Sequence, residues 1–208
     1  MLTMVERETI EKAVAFHGHL CPGLAMGIRA TEIGLREIGP HSKDEEVVAV
    51  VETDMCAVDA IQSLMGCTFG KGNLIHRDYG KSAYTFIRRS DGRAFRVSTR
   101  PDSIDQRPQG MGDGEDGPGG GPDIVESATG SVTVAPAWCE AILSAPMNRL
   151  YDVREVKVEM PPHSRGFQSV ACASCGEPTM ETRVRRFEGR ELCPPCFETS
   201  LSATEEAR

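Results

Sequence analysis

The chain has 208 residues, of which 26% are charged and 39% hydrophobic, a composition typical of a folded soluble protein. Its formal net charge of -8 argues against a general nucleic-acid or anionic-membrane binder, because such proteins need a surplus of Lys and Arg. No apolar run approaches the roughly 20 residues that cross a bilayer, and the N-terminus lacks the apolar stretch of a signal peptide. We therefore expect a cytoplasmic protein, whose eight cysteines serve metal binding or catalysis rather than a disulfide framework.

Two helices are predicted at the start of the chain, joined by a short histidine and cysteine motif. Apolar positions spaced i, i+3, i+4 and i+7 place His17 at the end of the first helix, on its inward face. Pro22 suits the first position of the second helix, which Gly39-Pro40 ends, so Cys21 is the predicted N-cap. The N-terminus of this helix is expected to lower the pKa of the Cys21 thiol and to prepare it for a metal or for nucleophilic work.

The joining motif, residues 17–23, has the sequence His-Gly-His-Leu-Cys-Pro-Gly and is the candidate functional centre. A run with two histidines and one cysteine also arises by chance, and a cysteine in a core is most often a small apolar residue. His19 follows in a non-helical turn, where it either faces the same space as His17 or lies outside the ligand set. The motif alone therefore leaves a metal site and simple packing both open.

A buried strand and a third helix follow, with another cysteine at their junction. Residues 47–51, Val-Val-Ala-Val-Val, are typical of a strand buried on both faces. Helical spacing of apolar residues then continues over residues 57–65, with Thr53 or Asp54 as the expected cap. Cys56 lies in the first turn of this helix, so its predicted surroundings repeat those of the first cysteine.

A glycine-flanked lysine, Lys71, lies in the loop that comes next, within residues 66–74. Such a loop can bring backbone N–H groups and one ammonium against an anionic group. It lacks the Gly-Lys-Ser/Thr ending of a nucleotide P-loop, which excludes that mechanism of nucleotide binding. A flexible turn is the alternative interpretation.

The rest of the first domain combines a hairpin, an insert, a short helix and an edge strand. Strand-forming residues flank Asp91-Gly92, which is a strong hairpin signal. Glycine, proline and acidic residues dominate positions 101–123, so we expect a disordered surface loop there. A helix is predicted over residues 136–143, with Cys139 in the core, and a half-exposed edge strand over residues 151–160.

A linker at residues 161–166 separates this domain from a cysteine-rich tail. The tail holds two Cys-x-x-Cys pairs separated by 17 residues, made of Cys172, Cys175, Cys193 and Cys196. That spacing is typical of a four-cysteine structural zinc site. A hairpin that turns at Glu188-Gly189 and a helix that opens at the second pair complete a treble-clef arrangement. A redox Cys-x-x-Cys pair and two disulfides are the alternatives.

The tail is too short to build a stabilising core, so zinc is expected to supply most of its folding energy. Between residues 168 and 208, five Arg against seven Glu give a net charge of -2, and four thiolates around one Zn²⁺ add a further -2. A nucleic-acid phosphate backbone would be repelled. We therefore expect a docking or dimer-supporting module.

Taken together, the motifs resemble the family of E-type subunits of formylmethanofuran dehydrogenase, some members of which accompany molybdenum- or tungsten-dependent formylmethanofuran dehydrogenases. The matching stretches are residues 17–27, 54–62, 66–74 and 78–81 and the four-cysteine tail. The resemblance implies an α+β fold, with a helix-packed β-sheet in a core domain over residues 1–162 and a treble-clef zinc finger over residues 168–208. It also implies a homodimer and a cysteine- and histidine-rich core site. The insert at residues 101–123 departs from the family pattern.

Our first hypothesis is a metal- and thiol-dependent enzyme or enzyme subunit that acts on a small molecule, in one-carbon or redox metabolism. The predicted ligands of a soft core metal, zinc or iron, are His17, His19, Cys21 and Cys56. Cys21 and Cys56 are also the candidate catalytic thiols, with Asp54 and Lys71 near the substrate. With His17, Cys21 and Cys56 alone as ligands, one coordination position stays free, as catalytic sites require.

Two alternatives to this hypothesis remain open. The two thiols of the core site can instead cycle as a redox pair without metal. The protein can also be a non-catalytic zinc-binding accessory, regulatory or metal-carrier protein, with a larger oxidoreductase complex as its partner.

Overall fold

The structure, a computed structural model, describes residues 6–106, 123–127, 130–134 and 137–206. The chain divides into two compact units, Met1–His163 and Ser164–Arg208. The first unit, here called the core domain, combines helices with a five-stranded sheet, which confirms the predicted α+β class. Within the described ranges, no helix has both the length and the apolar character needed to cross a membrane.

The first three helices of the core domain agree closely with the sequence pattern. They are α1 (Arg7–His17), α2 (Pro22–Glu37) and α3 (Ala57–Ala60), and a π-helical turn (Ile61–Met65) continues α3. Cys21 is the N-cap of α2, as predicted, and Gly66 ends the third helix in a left-handed conformation with φ +70°. The predicted cap of α3 is wrong. Cys56 holds the N-cap position, because the Thr53 hydroxyl instead accepts a hydrogen bond from the Met55 N–H in the turn before the helix.

The strands of the core domain form one main sheet and one separate ribbon. They are β1 (Val47–Val51), β2 (Leu74–His76), β3 (Ala83–Arg88), β4 (Ala94–Thr99), β5 (Asp123–Ser127), β6 (Gly130–Val134) and β7 (Tyr151–Glu155). The main sheet has the order β2-β1-β3-β4-β7, in which β1 and β2 are parallel and the other neighbours are antiparallel. All five residues of β1 are buried, which confirms a strand covered on both faces.

Two predictions for the later part of the core domain need correction. Residues Pro101–Gln106 form a 3₁₀-helix rather than the start of a disordered loop, and the buried Ser103 hydroxyl donates to the Arg100 carbonyl at 2.7 Å. Asp123, the last residue of the predicted disordered insert, begins strand β5, and residues 107–122 lie outside the described residues. The edge strand β7 ends at Glu155, so residues 156–160 do not extend it. The Val156 N–H still donates to the Ala94 carbonyl, but the residues after it make no strand pairing. The Val156 side chain packs with buried residues of the sheet such as Val48 and Ile87.

Helices α2 and α3 pack closely enough for their backbones to touch. A Cβ atom at Gly27 would lie only 2.4 Å from the Ala57 carbonyl oxygen and 2.5 Å from the Ala57 Cα, so glycine alone permits this approach. On either side of Gly27, Leu24 and Ile28 are fully buried and hold α2 in the apolar core. The N-terminal ends of α2 and α3, which carry Cys21 and Cys56, are thereby brought together. Two further helices, α4 (Ala137–Ser144) and α5 (Met147–Leu150), precede the edge strand, and Cys139 is buried in the core as predicted.

The second unit has the knuckle, hairpin and helix expected of a zinc finger. Its elements are β8 (Ser169–Ala171), β9 (Pro178–Met180), a 3₁₀ turn (Glu181–Arg183), β10 (Arg185–Phe187), β11 (Arg190–Leu192) and α6 (Pro194–Glu206). The second hairpin turns at Glu188 and Gly189, whose φ values of +49° and +76° are those of a tight two-residue turn. This confirms the predicted turn, and α6 opens at the second cysteine pair as expected.

Candidate metal centres

Three potential ligands meet where helices of the core domain begin or end. His17 lies at the C-terminal end of α1, Cys21 is the N-cap of α2 and Cys56 is the N-cap of α3. One ligand atom from each lies within 4.8 Å of the others, and Cys21 Sγ is 3.7 Å from His17 Nε2. A tetrahedral ion with bonds of about 2.3 Å to sulfur and about 2.0 Å to nitrogen places two such atoms roughly 3.6 Å apart. The three residues therefore fit one soft metal ion and leave a fourth position free.

A carboxylate fixes the orientation of the His17 ring. Asp59 Oδ2 lies 2.6 Å from His17 Nδ1, and Gln62 Nε2 donates to the other Asp59 oxygen at 3.2 Å. An Nδ1–H that donates to the carboxylate leaves the Nε2 lone pair directed at the thiols, which is the usual arrangement of a metal-binding histidine. Asp59 was not among the site residues predicted from the sequence. Its position three residues after Cys56, on the same face of α3, is the signal that could have revealed it.

The predicted lowering of the Cys21 pKa is wrong. The N-terminus of α2 does contribute, because the Leu24 N–H donates to Cys21 Sγ at 3.3 Å. Burial of the thiol outweighs that hydrogen bond and, with a smaller effect from the neighbouring Cys56, raises the pKa of Cys21 to about 11. Without metal the thiol is therefore protonated at neutral pH, and a metal ion must displace that proton to bind.

Gly23 makes room for both thiols at the start of α2. A Cβ atom at this position would lie 3.1 Å from Cys56 Cβ, 3.6 Å from Cys56 Sγ and 3.9 Å from Cys21 Sγ. Any side chain there would press on the Cys56 side chain. The glycine at the end of the motif thus contributes to the close approach of the two sulfur atoms.

The other residues proposed from the sequence are not part of this three-residue cluster. The ring of His19 stacks at a tilt near His17, with centroids 4.9 Å apart, and His19 is half-buried. Asp54 is exposed, and the Lys71 ammonium donates to the Ser42 carbonyl at 2.8 Å. The roles proposed for His19, Asp54 and Lys71 therefore stay predictions.

The four tail cysteines form a second, separate cluster. Their sulfur atoms all lie within 4.8 Å of one another, and Cys175 Sγ is 3.9 Å from Cys193 Sγ. Tetrahedral zinc with four sulfur ligands at about 2.3 Å sets neighbouring sulfurs roughly 3.8 Å apart, so the cluster fits Zn²⁺. Hydrogen bonds from the backbone N–H groups of Cys175, Cys193 and Ser174 lower the pKa of Cys172 to about 6. The tail therefore has the geometry of a structural zinc site.

Comparison with protein-family models gives two matches along the chain. Residues 16–117 match FmdE, described as molybdenum formylmethanofuran dehydrogenase operon. Residues 164–200 match the prokaryotic dksA/traR C4-type zinc finger. The two matches confirm the resemblance drawn from the motifs, and each contains one of the cysteine clusters.

Two known proteins are similar to this chain, one over about half of its length and the other over most of it. A probable S-adenosyl-L-methionine-binding protein from Archaeoglobus fulgidus is 37% identical over 98 residues, which is 45% of this chain and 27% of that protein. The chain thus matches only about a quarter of this curated relative. A crystal structure of a tungsten formylmethanofuran dehydrogenase FmdE-like protein from Syntrophus aciditrophicus superimposes with a TM-score of 0.63 at 22% identity. That match covers 93% of this chain and 92% of the other, and it shows a shared fold.

Proposed function

We propose that the core domain is a metal- and thiol-dependent enzyme or enzyme subunit, because residues 16–117 match the FmdE family model and residues 164–200 match that of the C4-type zinc fingers. The cluster of His17, Cys21 and Cys56, with Asp59 behind the histidine, carries this proposal. A soft metal bound there, zinc or iron, supplies a Lewis acid with one position open to a small molecule. The family and the shared fold favour a substrate of one-carbon or redox metabolism.

Each residue of the cluster has a distinct part in this proposal. Asp59 holds the His17 tautomer that presents Nε2, and Cys21 and Cys56 give up their protons to become thiolate ligands. Imidazole together with thiolate selects zinc, iron or copper(I) over magnesium or calcium. Asp54 and Lys71 remain candidates for contact with the substrate.

We also propose that the core domain works as a homodimer or within a larger oxidoreductase complex in the cytoplasm. Phe16 and Met55, large apolar side chains that are 55% and 61% exposed, support such an association. They stand directly beside His17 and Cys56 in the sequence, so a partner covering them would also limit access of water to the site. Analytical ultracentrifugation of the full chain should give a mass above that of the monomer, and a monomer at all concentrations would refute the homodimer.

Cobalt substitution tests the open coordination position directly. With Co²⁺ in place of the native metals, we expect imidazole or a small thiol to change the visible absorption of the core site, because a ligand can enter the fourth position. Cys56→Ser should remove this response. Cys67→Ser is the matched control, since Cys67 is buried elsewhere, with Sγ 3.5 Å from the Val47 carbonyl, and should retain the response. A core cobalt spectrum that no added ligand changes would contradict an open catalytic site.

A metal-carrier or accessory role is the second candidate. Two observations favour it: all three ligand residues are only half-buried, and the raised pKa of Cys21 helps protons to displace a metal. Incubation with a coloured zinc chelator distinguishes the two functions. Release of one metal per chain within minutes, while the tail keeps its zinc, would favour a carrier, and slow release together with turnover would favour an enzyme.

A further inference from the structure

A cavity of about 760 Å³ lies beside the core cluster. Its wall includes Pro22 and Gly23, which follow Cys21, and Met55 and Ala57, which flank Cys56. Gly23 lies between the cysteine cluster and the cavity. A Cβ atom at this position would lie within 4 Å of the Cys21 and Cys56 sulfur atoms, and the residue also lines the cavity. The volume is within the roughly 300–1,000 Å³ of typical small-molecule sites.

Apolar side chains form a large part of this wall. Met26 comes from α2, Trp138 and Ile142 come from α4, and Tyr84 comes from the buried strand β3. Tyr84 is 1% exposed and Ile142 is 4% exposed, so the main packing of the domain holds these walls in place. Surfaces of this kind suit the apolar body of a ligand.

The cations of the cavity wall differ in whether they pair with a carboxylate. Arg96 makes two hydrogen bonds to Glu52, at 2.8 and 2.9 Å, and Arg100 pairs with Asp102 at 3.0 Å and with Asp152 at 2.8 Å. Lys81 also lines the cavity, and it forms no salt bridge with any residue that the structure describes. Its charge does help to lower the pKa of Glu52, but both oxygens of that carboxylate already accept hydrogen bonds from Arg96. Lys81 is therefore the cation of the wall that has no carboxylate partner among the described residues.

From this arrangement we propose that the cavity binds a small organic anion, namely an apolar body that carries one carboxylate or phosphate group. The anionic group lies against the Lys81 ammonium, and the body packs on Met26, Trp138 and Ile142. This inference rests on the proposed function, since it gives the class of substrate that reaches the core metal position along Gly23. It is narrower than that function, because charge complementarity in the wall selects an anion over a neutral molecule.

Isothermal titration with matched probes tests this inference on the full chain. The probes are 3-phenylpropanoate, phenyl phosphate and the neutral 3-phenylpropanamide. We expect both anions to bind about five- to tenfold more tightly than the amide, because a charged group opposite an ammonium strengthens the contact. Lys81→Gln should reduce binding of the anions to the level of the amide and leave the amide unchanged. Lys157→Gln, at a lysine outside the cavity wall, is the control and should change nothing.

The outcomes separate this inference from the proposed function. Equal binding of anions and amide, no effect of Lys81→Gln, or no saturable binding of any probe would each overturn the anion site. The same titration on the wild-type chain, with metal content measured in parallel, addresses the other question. Anion binding through Lys81 by a wild-type chain whose core takes up no metal under any loading condition would leave the cavity assignment standing and refute the metal-dependent function.

Discussion

The two cysteine clusters of this chain are positioned by different forces. In the core domain, the ends of three helices bring His17, Cys21 and Cys56 together, and those helices are anchored by fully buried residues such as Ile28 and Ile61. In the tail, Leu192 is the one fully buried apolar side chain among the described residues of that unit. The core site is therefore prepared by the fold, whereas the tail depends on the metal for its fold.

Cys172 of the tail and Cys21 of the core domain have pKa values shifted in opposite directions. Backbone N–H groups of the tail knuckle lower the pKa of Cys172 to about 6, while burial raises the pKa of Cys21 to about 11. Cys172 favours the thiolate before a metal arrives, and Cys21 favours the thiol. The pKa values of Cys175, Cys193 and Cys196 are raised, because burial and the neighbouring thiols together outweigh the hydrogen bonds that lower them. A site with four cysteine ligands is suited to permanent zinc, and a site with three protein ligands leaves a position at which a bound metal can meet other molecules.

The largest effect is expected from loss of the tail metal. Cys193→Ser should unfold the zinc-finger unit, because zinc binding supplies roughly 10 kcal/mol or more to such units and little apolar packing replaces it. Hydrogen exchange should show lost protection over residues 169–206 and unchanged protection in β1 and β3. Cys67→Ser, in the core, is the matched control and should leave the tail protected. Retained tail protection without metal would remove the contrast between the two clusters.

The next largest effect is expected at the contact that prepares the core site. Gly27→Ala should lower the free energy of unfolding of the core domain by about 3 kcal/mol, because the new methyl group meets the Ala57 backbone, which cannot rotate away. Gly70→Ala is the control, since a Cβ atom built at Gly70 has no described neighbouring atom within 4 Å. Urea denaturation monitored by circular dichroism gives both values. Equal stability of the two variants would show that close packing of α2 and α3 is not required.

A smaller and more local effect is expected from the carboxylate behind His17. Asp59→Asn should weaken metal binding at the core site by about 10- to 100-fold, because the imidazole loses its orienting anion. Zinc bound by the tail should be unaffected, since Asp59 belongs to the other unit. Competition with a chelator of known affinity measures both sites, and Asp44→Asn, an exposed carboxylate outside the cluster, serves as the control. Unchanged affinity at the core would mean that His17 does not bind metal through Nε2.

The smallest effect concerns an ion pair that stabilises the core domain independently of metal. Hydrogen bonds from Arg96 lower the pKa of Glu52 below its ordinary value of 4.5. A lowered pKa means that the pair contributes its full stability above about pH 4.5 and loses it as the pH falls through the folded-state pKa. Glu52→Gln should therefore reduce the free energy of unfolding by about 1 kcal/mol at pH 7, and the difference from wild type should shrink below about pH 4. The same difference is expected with and without chelator; a chelator-dependent difference would mean that core stability does rely on metal.

Local sequence signals predicted much of the fold. Pro22 located the start of α2, the apolar run Val47–Val51 indicated a strand covered on both faces, and Asp91-Gly92 located the hairpin. Each signal depends on residues close in sequence, whose steric and apolar preferences act without knowledge of the rest of the fold. The same reasoning found both cysteine clusters, because helix starts and Cys-x-x-Cys spacing are also local.

What the sequence did not predict depends on contacts between distant segments. The His17–Asp59 pair joins residues 42 positions apart, and the role of Gly27 appears only when α3 lies against it. The raised pKa of Cys21 has the same origin, since burial by the assembled core outweighs the local helix terminus. The order at Pro101–Gln106 was missed because composition alone does not show that Ser103 is buried.

Metal stoichiometry tests the central claim of a second metal site most directly. Full-length chain purified without oxygen and analysed for elemental content should carry two metal ions per chain. Cys56→Ser should carry one, with the tail still folded, and Cys193→Ser should carry one, with the core still folded. A wild-type chain with a single metal under every loading condition, lost in Cys193→Ser and retained in Cys56→Ser, would contradict the claim and leave the cluster of His17, Cys21 and Cys56 as core packing.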